Sequence, residues 1–253
     1  MLNILLRDLS IKTVVWNTEW AVPGSKRGLL LSEQIQRQQP DVICLTEAKA
    51  GLLPQEGYVI ESAPDYGYPL KPGRRKVILW SKQPWSEVSI HENLEFPSGR
   101  IISGITQGIR LLGVCIPWSA AHVSGGRQDR KNWEDHLLYL DALKQLVTEL
   151  DHNIPLAVIG DYNQSLPRSR QPKYAYEKLN EVLSSGLTVH TSGNLGPEGA
   201  QLIDHIATTV DLQVHDLTVL DREITEGVRL SDHFGIAGFI KHKQPENGAM
   251  TQS

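Results

Sequence analysis

Short runs of Val, Ile and Leu recur along this chain, separated by polar breaks that carry Gly, Pro, Asn or Asp. That spacing predicts strands at 11–16, 41–45, 76–80, 100–106, 110–116, 155–159, 202–208 and 234–240. Three stretches repeat with a helical period instead. The clearest is 131–150, where Trp133, Leu137, Leu140, Leu143, Val147 and Leu150 form one stripe. A second helix is expected over 27–38, ending before Pro40, and a third over 173–183, with Tyr176, Leu179, Val182 and Leu183 on one face. Residues 76–116 leave no room for a helix after each strand. They read as hairpins turning at Ser98–Gly99 and Gln107–Gly108. A doubly wound parallel sheet is therefore excluded. The pattern predicts an α/β fold in which two sheets pack face to face with helices outside.

Composition adds little to this picture. The 253 residues carry a net charge of -4, 40% hydrophobic and 21% charged positions, as an ordinary globular enzyme does. No global basic field draws the protein to nucleic acid, so such binding must come from local patches. Both cysteines, Cys44 and Cys115, sit inside apolar runs, which reads as core packing and a reducing, cytoplasmic setting. Arg7 and Asp8 break the apolar start, against a signal peptide, and no run is long enough to span a membrane. A single domain over residues 1–241 is expected, followed by a polar, disordered tail over 242–253.

The chemistry lies at the strand ends. Thr13-Val-Val-Trp runs into Asn17 and Glu19, and Asp41-Val-Ile-Cys-Leu-Thr into Glu47. Leu156-Ala-Val-Ile-Gly runs into Asp161 and Asn163; Asp204-His205 and Asp232-His233 close two further runs. Carboxylates at several strand ends can converge on one rim of a sandwich, where buried charges must be paired or metal-bound. Oxygen donors with little sulfur suit Mg²⁺ or Mn²⁺ better than zinc.

In order, these segments resemble the motifs of the endonuclease/exonuclease/phosphatase superfamily. Trp16-Asn17-Thr18-Glu19-Trp20 resembles the first motif, and Pro40 to Glu47 the strand that ends in the main metal-binding Glu. Gly160-Asp161-Tyr162-Asn163, Ile203-Asp204-His205-Ile206 and Ser231-Asp232-His233 resemble the later ones. The resemblance implies a four-layer α/β/β/α sandwich of two mixed sheets flanked by helices. It implies that Glu47 binds the metal with help from Glu19 and Asn17, and that Asp232 joins them or orients His233. Asp161 would position or deprotonate the attacking water, and Asn163 would hold the phosphate. His233, paired with Asp232, would polarise the phosphate or move a proton, with Asp204 in support.

The chain also departs from the pattern. Many members carry a phosphate-contacting His or Tyr two residues before a Pro in the middle strand, and here Cys115 stands there, before Pro117. Either the contact is missing or a neighbour such as His122 supplies it.

The implied activity is metal-dependent hydrolysis of phosphoesters, with nucleic acid (DNA or RNA) as the expected partner. A small or lipid phosphate is the alternative substrate, and an inactive binding module the alternative class. The intact motif set argues against the last. The absence of a Pro-x-Trp-Cys-Asp-Arg segment near Asp204 lowers the inositol-phosphate reading. Basic loops at 71–76 (with Arg74, Arg75 and Lys76), 127–131 (with Arg127) and 168–170 (with Arg168 and Arg170) are candidate backbone contacts. Trp118 is a candidate base-stacking side chain, whereas Trp133 is expected in the core.

Overall fold

A computed structural model describes residues 10–91, 98–224 and 227–243. The expected disorder of the tail from residue 244 onward, and the apolar start at Leu2–Leu6, lie outside these residues. His242 and Lys243, expected in the tail, belong to the fold instead. His242 ends the last strand, and the Lys243 amide donates to Asp211 O at 2.7 Å.

Two six-stranded sheets form the body. In chain order the strands are β1 (Ser10–Asn17), β2 (Val42–Ala48), β3 (Tyr58–Glu61), β4 (Arg75–Ser81), β5 (Ser86–Ser89), β6 (Ile101–Thr106) and β7 (Ile109–Cys115). They continue as β8 (Leu156–Asp161), β9 (Thr188–Val189), β10 (Asp204–Thr208), β11 (Leu212–Leu220), β12 (Glu223–Ile224), β13 (Val228–Arg229) and β14 (Gly235–His242). The first sheet runs β11-β14-β1-β2-β4-β3 and the second β5-β6-β7-β8-β10-β9, while β12 and β13 pair by themselves. Both large sheets are mixed: β1–β2 and β7–β8 are parallel, and their other pairs are antiparallel.

Alternation along each strand divides the core into layers. In β2, Val42 and Cys44 face the second sheet, whereas Ile43 and Leu45 face outward. In β8, Ala157 and Ile159 face the first sheet, whereas Leu156 and Val158 face outward. The central strands thus bury both faces and read as unbroken apolar runs.

Helix α1 (Lys26–Arg37) covers the first sheet with Leu31 and Ile35. Its first turn is capped by Ser25, whose Oγ accepts from the Gly28 amide at 3.1 Å. Helices α2 (Glu134–Glu149) and α3 (Lys173–Leu183) cover the second sheet. Each fully buried Leu or Ile in these faces contributes about 1.5–3 kcal/mol. The result is the four-layer α/β/β/α sandwich that the sequence implies.

Helix α2 starts later than the periodicity suggests. Trp133 is its N-cap, with φ 69°, and is only half-buried rather than core. The stripe that packs is Tyr139, Leu140, Leu143, Leu146 and Val147. The hairpin turn at Gln107–Gly108 is as expected: both residues have positive φ, 51° and 78°, so the tight turn follows the twist of β6 and β7.

Candidate active site

The topology places every motif at one end of the sandwich. Asn17, Glu47 and Asp161 lie at or beside the C-terminal ends of β1, β2 and β8. Strands β4, β10 and β14 run antiparallel to their neighbours, so Lys76, Asp204 and His233 start or precede strands at that same end. Gly160 is required by this register. Its φ is 134°, and a Cβ there would meet Val114 O at 2.1 Å.

Asn17 ties the two sheets together at the rim. Its amide N–H donates to Asp204 Oδ2 at 2.8 Å, and its side-chain Nδ2 donates to Asp161 Oδ2 at 2.9 Å. Asp161 also accepts from the Asn163 amide at 2.8 Å and from Asn163 Nδ2 at 2.9 Å. Asn163 adopts φ 51°, a left-handed conformation that Asn tolerates, and so folds its side chain back onto Asp161 and Ile116 O.

His233 Nδ1 lies 3.1 Å from Asp204 Oδ1, and the Ser231 hydroxyl accepts from the His233 amide at 3.1 Å. Trp16 Nε1 holds His233 O at 2.9 Å. Burial pulls the imidazole pKa down, but the Asp204 and Asp161 carboxylates outweigh it and raise it to about 10. Burial, with the neighbouring Asp204 and Glu47 charges, lifts Asp161 far above the carboxylate range, to about 7, against the pull of His233.

A cleft of about 210 Å³ opens onto this group, lined by Asn17, Glu47, Lys76, Arg100, Trp118, Asp161, Asn163, Asp232 and His233. Lys76 pairs with Glu47 at 2.5 Å. Glu47 has φ 48°, a strained backbone for a non-glycine residue, held by Thr18 Oγ1 and the Trp20 amide on its carbonyl. Strain of this kind costs about 1–3 kcal/mol and collects at functional sites.

Several expected roles change here. Asp204, not Asp232, is the close partner of His233. Asp232 is half-exposed and 3.8 Å from Nε2. Glu19 turns away to Arg27 and Arg229, at 3.2 and 2.5 Å, and does not line the cleft. His122 is fully buried rather than poised over a phosphate. It stacks on Tyr68 at 4.3 Å, takes the Arg127 amide on Nδ1, and faces Asp135 at 3.8 Å. Arg127 is spent on Asp129 and Asp135. Arg168 is exposed and donates to Gln171 O, and exposed Arg170 does not line the cleft. Arg75 pairs with Glu61. Sequence reasoning missed Arg100 and the catalytic-side position of Lys76. The only sequence signal was a lone arginine at the head of an apolar strand.

Two donor sets here could hold a cation. Asp161, Asp204 and His233 present ligand atoms within 4.8 Å of one another. In this set Asp161 already accepts from the side-chain amides of Asn17 and Asn163, and His233 Nδ1 lies against Asp204. Glu47, Asp232 and Asn17 form the second set: they line the same cleft with oxygen donors of the kind a hard divalent ion takes, with Glu47 paired to Lys76 and the Asn17 side-chain oxygen accepting from the Glu19 amide.

The sandwich and the Asp–Asn–His rim define a phosphoesterase. The chain belongs to the endonuclease/exonuclease/phosphatase family, whose profile matches residues 14–233. Among solved structures, an AP endonuclease from Archaeoglobus fulgidus is similar at TM-score 0.65 and 17% identity, covering 90% of this chain and 98% of that one. A 3′ phosphatase from Neisseria, bound to product DNA hairpin, has TM-score 0.65 and 18% identity, covering 92% and 100%. The endonuclease domain of a telomere-specific non-LTR retrotransposon has TM-score 0.64 and 15% identity, covering 93% and 100%. No curated protein sequence matches this one. Among the described residues, no helix is long and apolar enough to cross a membrane.

Proposed function

We propose that the protein is a Mg²⁺- or Mn²⁺-dependent nuclease that hydrolyses nucleic-acid phosphodiesters. The observation that carries the hydrolytic part is the rim cluster of Asp161, Asn17, Asp204 and His233, whose buried acid and imidazole both have raised pKa values, Asp161 through burial and His233 through its carboxylate neighbours. Asp161 orients a water and accepts its proton as the oxygen attacks phosphorus and the P–O bond to the leaving oxygen breaks. Asn163 and Asn17 fix that carboxylate. His233, held cationic by Asp204, donates from Nε2 to a phosphoryl oxygen and stabilises the charge that builds there. Glu47, Asp232 and Asn17 would hold a divalent ion, which when bound would supply further neutralisation of the phosphate charge.

The polymer substrate is supported by a second cleft of about 460 Å³, continuous with the first through Glu47, Lys76 and Trp118. Its wall is a run of rings, Trp20 on Tyr66 at 5.7 Å and Tyr66 on Tyr68 at 6.1 Å, with Arg74 4.5 Å above Trp20. Lys71 also lines it, and the indole of Trp118 is half-exposed. Rings interleaved with cations suit bases and backbone of a single strand.

The test pairs chelation with a salt titration. EDTA abolishes cleavage of an oligonucleotide, and its affinity falls with log salt at about -0.7 per phosphate contacted. Replacing Lys71 and Arg74 flattens that slope while turnover of a small phosphodiester persists. Full activity in EDTA defeats the metal mechanism. A flat slope with no oligonucleotide cleaved moves the substrate to a small or lipid phosphate.

A further inference from the structure

We propose that Arg100 is the phosphate-binding side chain of this site, taking over from the neighbouring strand the contact that Cys115 cannot make. The proposal rests on the phosphoesterase reading for its ligand, but the side chain makes its own case. The register pairs Ile101 with Val114, which sets Arg100 beside Cys115 at the rim. Arg100 Nη1 donates to Cys115 O at 3.2 Å. The residue is only 1% exposed, yet it lines the cleft with Asp161, Asn163 and His233.

What sets it apart is the missing counter-charge. Arg75 and Arg110 are paired with Glu61 and Glu87, and Lys76 with Glu47. No carboxylate within 4 Å of Arg100 is found among the described residues, and its Nε and Nη2 have no hydrogen-bond partner. Both atoms are shielded from water. A buried, unpaired guanidinium is a costly thing to fold around unless its partner arrives later.

The geometry of the unpaired atoms names that partner. With Nη1 anchored on Cys115 O, the Nε–H and Nη2–H remain side by side on one edge of the planar group. That edge matches two oxygens of a phosphate. An ammonium or an imidazole could not offer it. A phosphoryl group entering the cleft that Arg100 and His233 line brings Arg100 the counter-charge that no described carboxylate supplies within 4 Å.

Inorganic phosphate is the probe, titrated into the metal-free protein in EDTA and followed by calorimetry. Wild type, Arg100→Met and Arg100→Lys are compared, each with its thermal midpoint. Arg100→Met keeps the apolar stem and removes the charge; Arg100→Lys keeps the charge and removes the paired edge. The expected result is a Kd for phosphate at least tenfold weaker in Arg100→Met and intermediate in Arg100→Lys, with the midpoint of Arg100→Met unchanged or raised. On substrate, Arg100→Met lowers kcat/KM by about 10²-fold.

Phosphate binding equal to wild type in both variants overturns the proposal, as does a wild-type protein that binds no phosphate. Should Arg100→Met melt early, Arg100→Lys decides: loss of phosphate affinity at an unchanged midpoint supports the proposal, and retained affinity overturns it. The two readings also fail separately. A protein that turns over no phosphoester, yet loses phosphate affinity in these variants, keeps the anion site and loses the enzyme. Normal turnover with unaltered phosphate affinity does the reverse.

Discussion

Each side chain at the rim is set by its neighbours rather than by its own chemistry. Asp204 and Asp232 are both acids beside His233, but one is buried at 3.1 Å and the other half-exposed at 3.8 Å. Their substitutions should therefore fail differently. Asp204→Asn leaves the imidazole without its charged partner, and kcat should fall by ~10²-fold or more with the metal requirement unchanged. Asp232→Asn should raise the Mg²⁺ concentration needed for half-maximal rate and lower kcat less. The reverse ordering, read from rates across a Mg²⁺ titration, would restore the pairing that adjacency in sequence suggests. His233→Ala should cost at least ~10²-fold in kcat with the fold intact by circular dichroism. The motifs made Asn17, Glu47, Asp161, Asn163, Asp204 and His233 legible, because each sits where an apolar run stops. The sequence could not show which acid the imidazole meets, nor that Glu19 and Arg127 are taken by other ion pairs. Those outcomes depend on side-chain reach across strands far apart in the chain.

At the scale of elements, the loop after β8 is braced from three sides by one residue. Gln164 Nε2 bonds His136 Nε2 on α2 at 2.7 Å and donates to Ala175 O on α3 at 2.9 Å, and its carbonyl meets His205 Nε2 on β10 at 2.9 Å. Burial pushes both histidines down, from 6.5 to about 4. A lowered folded pKa means that stability is present above the unfolded value near 6.5 and is lost as pH falls through 4. The full effect is on the order of 3 kcal/mol per histidine. Urea midpoints should thus drop between pH 7.5 and 4.5. His136→Gln should reduce that loss by about 2 kcal/mol, at some cost at pH 7.5. An unchanged pH slope would remove His136 from the brace. Elements were legible where they are buried on both faces, as in β2 and β8. Strands β3, β5, β9 and β11–β13 were not foreseen, since they are short, or half-exposed and polar, as Leu212–Leu220 is around its irregularity between His215 and Thr218. Pairing with a neighbour, not local composition, makes them strands.

Over the whole molecule, the sandwich keeps one sulfur atom in each half. Cys44 lies on β2 of the first sheet and Cys115 on β7 of the second, both inside the layer between the sheets and at most 1% exposed. Burial pushes both thiols up, Cys115 to about 12, so neither is a nucleophile while the layer is closed. A thiol reagent should leave the native protein unmodified for as long as the sheets stay together and react at once in denaturant. Rapid labelling in native buffer would show that the layer opens without unfolding. Because Asn17 joins the sheets at the rim where phosphate and metal are proposed to bind, a ligand at that rim should slow labelling by the factor 1 + [L]/Kd. The two cysteines then act as a clock for the interior: a candidate substrate is recognised by how long it delays the sulfur, before any product has been seen.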